Sequence, residues 1–548
     1  MPRSLSDRHW PRPWLLVPCL GAVIAVTSVQ AQVAAQPMGD LSPGIMAQLS
    51  APAPGAPQVP ASPAVPQQLQ PSSPANIGDA IPPAPLSPRI SIATDQLPYE
   101  VGKGPKLGPY YLIRSEDDFS YLRDRSKSND LFDPLKFIRL DPSGRSYVTF
   151  SGEERLRYEY YTKNSFTFVD PKHQDIFYFR HLYGVDVHLG ENFRAFASLN
   201  SGQVGGHNYG TPSPANRDDL ALQQAFAEVM GRVGNAQVGL RAGRQEVFFG
   251  SGLLFALREP TNIHQALDGF RGYLDLPSLR IDAFAYDNVI NRYGVLHDST
   301  NAHQKFWGLY GSKALPVSNV LGVPARFYLD PTYIGYSNRT SAFVGFRGEE
   351  ERHTLGGRLW GQIGSADIDL TGAYQTGHVG NADVSAYAVF SNAGYTFNSV
   401  PMKPRVGVRF DMATGGRSGN TIHAYNPLLA LLGYFTENSL IAPINLYDTG
   451  IGVSFSPTNR LRVQAYTLLY WRYAQNDGIY NPGYVPFRNT ATVRGTPLGM
   501  QPALRAAYVL NQHTLLSGAL AFFRVDSALR NAGAKNNLYG LTQLQFKF

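Results

Sequence analysis

The stretch "RLRVQAYTLLYWRY", residues 460–473, carries two interleaved side-chain sets. One reads Leu461, Val463, Ala465, Thr467, Leu469, Trp471 and Tyr473; the other reads Arg460, Arg462, Gln464, Tyr466, Leu468, Tyr470 and Arg472. Successive side chains of a strand point to opposite faces, so this segment has one apolar face and one face bearing arginines. A long strand of that kind suits a wall between hydrocarbon and water.

The same period of two recurs from Ser146 to the end of the chain, in 18 segments. The first nine centre on 146–161, 175–189, 193–201, 220–231, 236–247, 268–275, 279–287, 304–314 and 324–336. The rest centre on 352–363, 366–376, 383–398, 403–412, 446–456, 459–473, 500–511, 513–525 and 537–548. Most approach the ~9–11 residues with which a tilted strand crosses a bilayer. Links after even-numbered segments are tight, as in "GEN" at 190–192 and "GS" at 364–365, whereas 202–219, 248–267, 413–445 and 474–499 are long. Short turns at one end, long loops at the other and an even strand count predict an all-β fold, a transmembrane antiparallel barrel of about 18 strands with short periplasmic turns and long extracellular loops. Closure lets such a wall satisfy every backbone polar group in lipid without helices. The terminal "LTQLQFKF", with Leu544, Phe546 and Phe548 on one face, is similar to the last strand of bacterial outer-membrane proteins.

Composition agrees. Charged residues make up only 16% of the 548, against ~25% in ordinary soluble domains. Residues 1–31 read as a secretory signal: Arg3, Arg8 and Arg12 precede an apolar run from Trp14 to Val26, and Val29 and Ala31 flank the expected cut. Removing three arginines and one aspartate lowers the net charge from +7 to +5. It also removes Cys19, the one cysteine, so the mature chain is expected to hold no disulfide or thiol ligand. Residues 32–108 form a Pro/Ala/Gln-rich spacer expected to be disordered. Residues 109–145 are a polar periplasmic lead-in, where Ser115 and Asp118 have capping-box spacing before a short helix. It is expected either under or inside a pore, or packed on the surface. The barrel itself is expected over 146–548.

Carrying the alternation through each strand predicts an inner wall rich in arginine. Arg155, Arg157, Arg180, Arg241, Arg358, Arg405, Arg409 and Arg462 point inward, with Glu153, Glu159, Asp186 and Asp411 among the acids. Guanidinium groups stay charged and grip carboxylates at two points, so such a wall favours anions. The alternative is cross-strand bracing by Arg–carboxylate ladders that contribute nothing to transport.

Residues 240–276, with "LRAGRQEVFFGSG" and "LREPTNIHQALDGFRGYLDL", resemble the alginate export family of outer-membrane barrels. "SGEERLRYEY" at 151–160, "RHTLGGRLWG" at 352–361 and "GYTFNSVPMKPRVGVRFDMATGG" at 394–416 extend the resemblance over roughly 109–548. It implies an 18-stranded barrel that exports a secreted acidic polysaccharide, with Arg241, Arg244, Arg258, Asp268, Arg271, Arg405 and Arg409 as pore residues. Asp268 is expected to pair with an arginine. The chain departs from the family pattern at Leu253, His264, Gln265, Leu267 and Gly416, which leaves a less charged exopolysaccharide open.

Other chemistry lacks a signature. His207, His264, His297 and His303 have no ligand spacing and read as solvated loop residues; no metal or cofactor is expected. Singly spaced cations do not suggest nucleic acid. The expected role is an outer-membrane channel, not an enzyme, for an anionic exopolysaccharide. Membrane lipid and periplasmic secretion proteins are its expected partners, and an anion- or sugar-selective uptake porin is the alternative. The loops 202–219 and 248–267 are the expected gates.

Overall fold

The computed structural model describes residues 96–98, 101–168 and 172–548, so the signal at 1–31 and most of the 32–108 spacer lie outside the described residues. Eighteen long strands form a closed antiparallel barrel. In chain order they are β1 Tyr147–Tyr161, β2 Gln174–Leu189, β3 Phe193–His207, β4 Asp218–Val233, β5 Ala236–Gln245 and β6 Leu267–Leu276. There follow β7 Leu279–Ile290, β8 Ser299–Ala314, β9 Val323–Phe343, β10 Phe346–Ile363, β11 Ala366–Val379 and β12 Ala382–Thr396. The last six are β13 Arg405–Ala413, β14 Leu446–Thr458, β15 Leu461–Arg472, β16 Pro497–Val509, β17 Thr514–Val525 and β18 Asn537–Lys547. Closure comes from β18 pairing with β1, from Tyr539 opposite Tyr161 to Lys547 opposite Glu153. No helix among the described residues is long and apolar enough to cross a membrane.

Alternation decides the two faces. On β15, Leu469 and Tyr473 are exposed outside, while Leu468, Tyr470 and Arg472 are buried inside. The outer band continues through Leu240, Phe270, Leu355, Val408 and Ile451, each more than half exposed. A solvent-facing surface of that composition is unstable in water and at ease in acyl chains.

Several boundaries differ from the sequence reading. Residues 202–207 continue β3, so the expected 202–219 loop shrinks to 208–217. The β9–β10 and β11–β12 hairpins likewise extend through residues read as loop, because their outer ends keep the ladder paired to Phe343–Phe346 and Val379–Ala382. Residues 101–108, assigned to the spacer, are ordered: Lys106–Leu107 pairs with Tyr110–Tyr111, and Val101 packs beside Tyr328 and Trp360.

The lead-in enters the barrel from the short-turn end. Leu97 donates its amide to Pro277 O, Tyr110 Oη meets His513 Nδ1 at 2.8 Å, and Leu112 and Ile113 pack against Phe248 and Leu257 inside. The expected capping box does not form. Ser115 Oγ donates to Gln224 on the wall, and Asp118 instead accepts from Ser120 N, because burial in the bore gives Ser115 a stronger partner than a helix end. The lead-in is mostly tight turns, with one short α-helix at Asp133–Lys136.

Candidate functional site

Two long loops fold back into the bore and meet the lead-in there. The first, residues 246–266, follows β5. Its apolar half lies on the wall: Phe249 stacks on Tyr310 of β8 at 4.7 Å between ring centres, and Phe255 meets Phe306 edge-on at 5.6 Å. Its polar half is gripped by arginines. Arg155 donates to Thr261 O at 3.1 Å and to Asn262 Oδ1 at 3.0 Å; Arg157 donates to Pro260 O. Arg180 donates to Asn262 O at 2.9 Å and bridges Glu153 of β1, at 2.9 Å, to Glu259 of the loop, at 3.1 Å.

His264, expected to be solvated, is buried in this network. One ring nitrogen lies 2.7 Å from Glu246 Oε1, and the other is hydrogen-bonded to Glu259 Oε2. Both contacts can be N–H donations only when the ring is doubly protonated. Burial and Arg180 press it toward neutrality, yet Glu246 and Glu259 outweigh them and hold its pKa above the ordinary histidine range. The sequence offered one clue, a Glu–His pair five residues apart at the two ends of "EPTNIH", residues 259–264.

The second loop, residues 414–445, follows β13. Ala256 N donates to Leu429 O, and Leu431 N donates to Gly252 O, so the two loops are strapped together at 2.8 and 2.9 Å. Arg409 of β13 donates to Tyr434 O at 2.5 Å and sits 4.0 Å from the Tyr434 ring centre. Tyr470 donates to Phe435 O, and Arg505 of β16 pairs with Glu437. The residues around these bonds, Tyr425, Phe435, Ile441 and Ala442, are fully buried.

The structure thus places Arg155, Arg157, Arg180, Arg241, Arg271, Arg358, Arg405, Arg409 and Arg462 on the inner face. They do not line an open wet surface as the alternation alone suggested. Arg358 is paired with Asp369, Arg405 with Asp367, Arg271 with Asp282, and Arg409 with both Asp411 and Asp448. Arg462 lies 3.4 Å from Ser454 Oγ. Arg258 sits on the 246–266 loop with left-handed backbone at φ 60°.

Arg244 and Asp268 fall on the opposite face. They pair with each other at 2.7 Å, as expected for Asp268, but Arg244 lies across from outward Ala225, and Asp268 stands two residues from Phe270, 60% exposed on the outside. Gln245, the next residue, is the one whose side chain reaches Tyr286 inside. Counting from inward Arg241 gives the same parity, and parity overrides the resemblance here.

The bore thus holds inserts from both ends, each gripped by inner arginines. The alginate export family matches this chain over residues 146–540, most of its length. The chain belongs to the alginate export family. With the closed lipid-facing barrel, membership makes it an outer-membrane channel. No curated protein was found to match the sequence. Among solved structures, Acinetobacter baumannii OccAB1 is similar with a TM-score of 0.49 at 12% identity, covering 77% of this chain and all 100% of that one. Pseudomonas aeruginosa OccK2 (OpdF), solved with glucuronate, is similar with a TM-score of 0.48 at 8% identity, covering 73% of this chain and 98% of that one.

Proposed function

We propose that the channel exports an anionic exopolysaccharide, alginate-like, through its arginine-bearing bore, after residues 1–31 are removed on secretion and residues 32–95 remain as a periplasmic spacer. Periplasmic secretion proteins would deliver the polymer. One observation carries the reading: the inner guanidinium groups of Arg157, Arg180 and Arg409 are each oriented by a wall carboxylate and still aim an N–H at a backbone carbonyl of an insert. Carbonyls on movable inserts are the ligands that hydroxyls and carboxylates of a sugar chain can replace. Arginine donates to either without losing charge.

The site residues on this reading are Arg155, Arg157, Arg180, Arg241, Arg258, Arg271, Arg358, Arg405, Arg409 and Arg462. The purified protein in planar bilayers is expected to conduct anions preferentially and to be blocked by uronate polymers. Cation selectivity that ignores such polymers would overturn the reading.

A further inference from the structure

We infer that the lead-in is a tethered plug occupying the polymer's path, held by donors that the passenger itself competes for. The inference rests on the export reading and adds how the channel is kept shut.

Strands β3, β5 and β6 present three arginines at the short-turn end of the bore. Each uses one side of its guanidinium on a wall carboxylate: Arg194 on Asp186 at 2.7 Å, Arg241 on Glu228 at 3.1 Å, Arg271 on Asp282 at 2.8 Å. Each gives another N–H to the lead-in. Arg194 donates to Ser115 O, Arg241 to Glu116 Oε1 at 2.9 Å, and Arg271 to Gly102 O at 2.6 Å. The wall carboxylates keep the guanidinium groups aimed when the lead-in departs, so three oriented donors wait for a replacement. Glu116 is the carboxylate that a uronate most resembles. Burial alone would raise its pKa, but Arg241, Arg271 and Arg194 override this and take it down to about 2.

The segment is built to leave without dragging the chain out. Its later part stays fixed to the wall, since Lys136 Nζ donates to Phe150 O at 2.7 Å and Thr149 Oγ1 donates to Lys136 O at 2.6 Å. Its inserted part lies tight on the bore: Gly102, at φ 75°, leaves no space for a Cβ beside Arg280. Its apolar tip, Leu112 and Ile113, touches Phe248, Ala256 and Leu257, which belong to the 246–266 loop and not to a strand. Plug and loop therefore shut the bore against each other, and displacement of one loosens the other.

The test joins plug to wall. Ser115 Oγ lies 3.1 Å from Gln224 Oε1, and the mature chain is expected to carry no cysteine of its own. The S115C/Q224C variant, bridged by a short bis-thiosulfonate linker and read in planar bilayers, is expected to lack the open events that spontaneous departure of the plug gives the reduced form, and so to carry at least tenfold less time-averaged current. Equal conductance before and after reduction, with the bridge verified by mass, overturns the plug. Deleting residues 101–118 keeps the proposal falsifiable if the double variant fails to fold: mean conductance should rise several-fold, and an unchanged value in a heat-modifiable, folded barrel overturns it. The two readings fail separately. Cation selectivity of the reduced channel refutes export and leaves the lock standing, whereas an ineffective bridge on an anion-selective channel refutes the plug alone.

Discussion

The two inward loops fill the same bore and are held there by different physics. The 246–266 loop is fastened through Glu259 to Arg155 and Arg180 of the strand wall, and His264 ties Glu259 to Glu246 within the loop. The 414–445 loop is fastened mainly by apolar burial, with Tyr425, Leu429, Phe435, Ile441 and Ile444 all nearly or fully buried. Apolar contact is indifferent to pH and anions, whereas a buried ionic latch fails as soon as one partner changes charge. On the proposed export reading, the first loop is the one expected to move and the second the one expected to stay in place.

The sharpest way to break this contrast is Arg180→Ala. It leaves Glu153 and Glu259 buried without their shared cation, and removing one partner of a buried pair costs about 3–5 kcal/mol. Thermal unfolding should fall accordingly, proteolysis within 246–266 should speed up, and conductance should rise. Adding Glu259→Gln should recover part of the loss, because one orphaned charge disappears. A double variant no better than the single removes the ionic account of this loop.

The matching cut in the other loop is Leu429→Ala, a buried truncation expected to cost about 2–5 kcal/mol. Its effect should be the same in low and high salt and across neutral pH. Marked salt dependence would mean that the frame is ionic too, and the contrast would vanish.

Why one inward loop was singled out in the sequence and the other was not is itself physical. Alternation exposes strands because their side chains meet two solvents, and β15 or β13 could be assigned inward and outward residue by residue. A loop that turns inward has no period to read. "NPLLALLGYF" at 426–435 is too short to span lipid, and an extracellular loop has no lipid to reach. Its leucines had to be covered by the barrel's own interior, where Leu428 and Leu429 now lie. The inner arginines were visible, but their partners were not, since Arg155 and Glu259 are brought together by that fold-back. Ser115 and Asp118 mimicked a helix start because spacing alone does not reveal that Gln224 is the nearer acceptor.

A smaller effect comes from the latch itself. The pKa of His264 is raised above its ordinary 6.5, so the folded loop binds its proton more tightly than the free one. The stabilisation is fully present below pH 6.5 and is lost as pH rises through the higher folded value, by about 1.4 kcal/mol per unit of separation. Conductance should therefore increase from neutral to alkaline pH, and His264→Gln should flatten that profile. A rise on acidification instead would reverse the sign and refute the latch. Protease accessibility of 414–445 should stay level throughout.

The smallest effect is the most telling about facing. Arg244 and Asp268 pair on the outside of the wall, so Arg244→Gln should leave the reversal potential where it was, whatever it does to stability. Arg409 is the inward counterpart, one cation between Asp411 and Asp448. Arg409→Gln removes the positive charge and leaves two acids on the bore, which must shift selectivity toward cations. If Arg244→Gln moved the reversal potential as far as Arg409→Gln does, the strand parity from Arg241 to Gln245 would be wrong. The assignment of every neighbouring residue to lipid or bore would then invert with it.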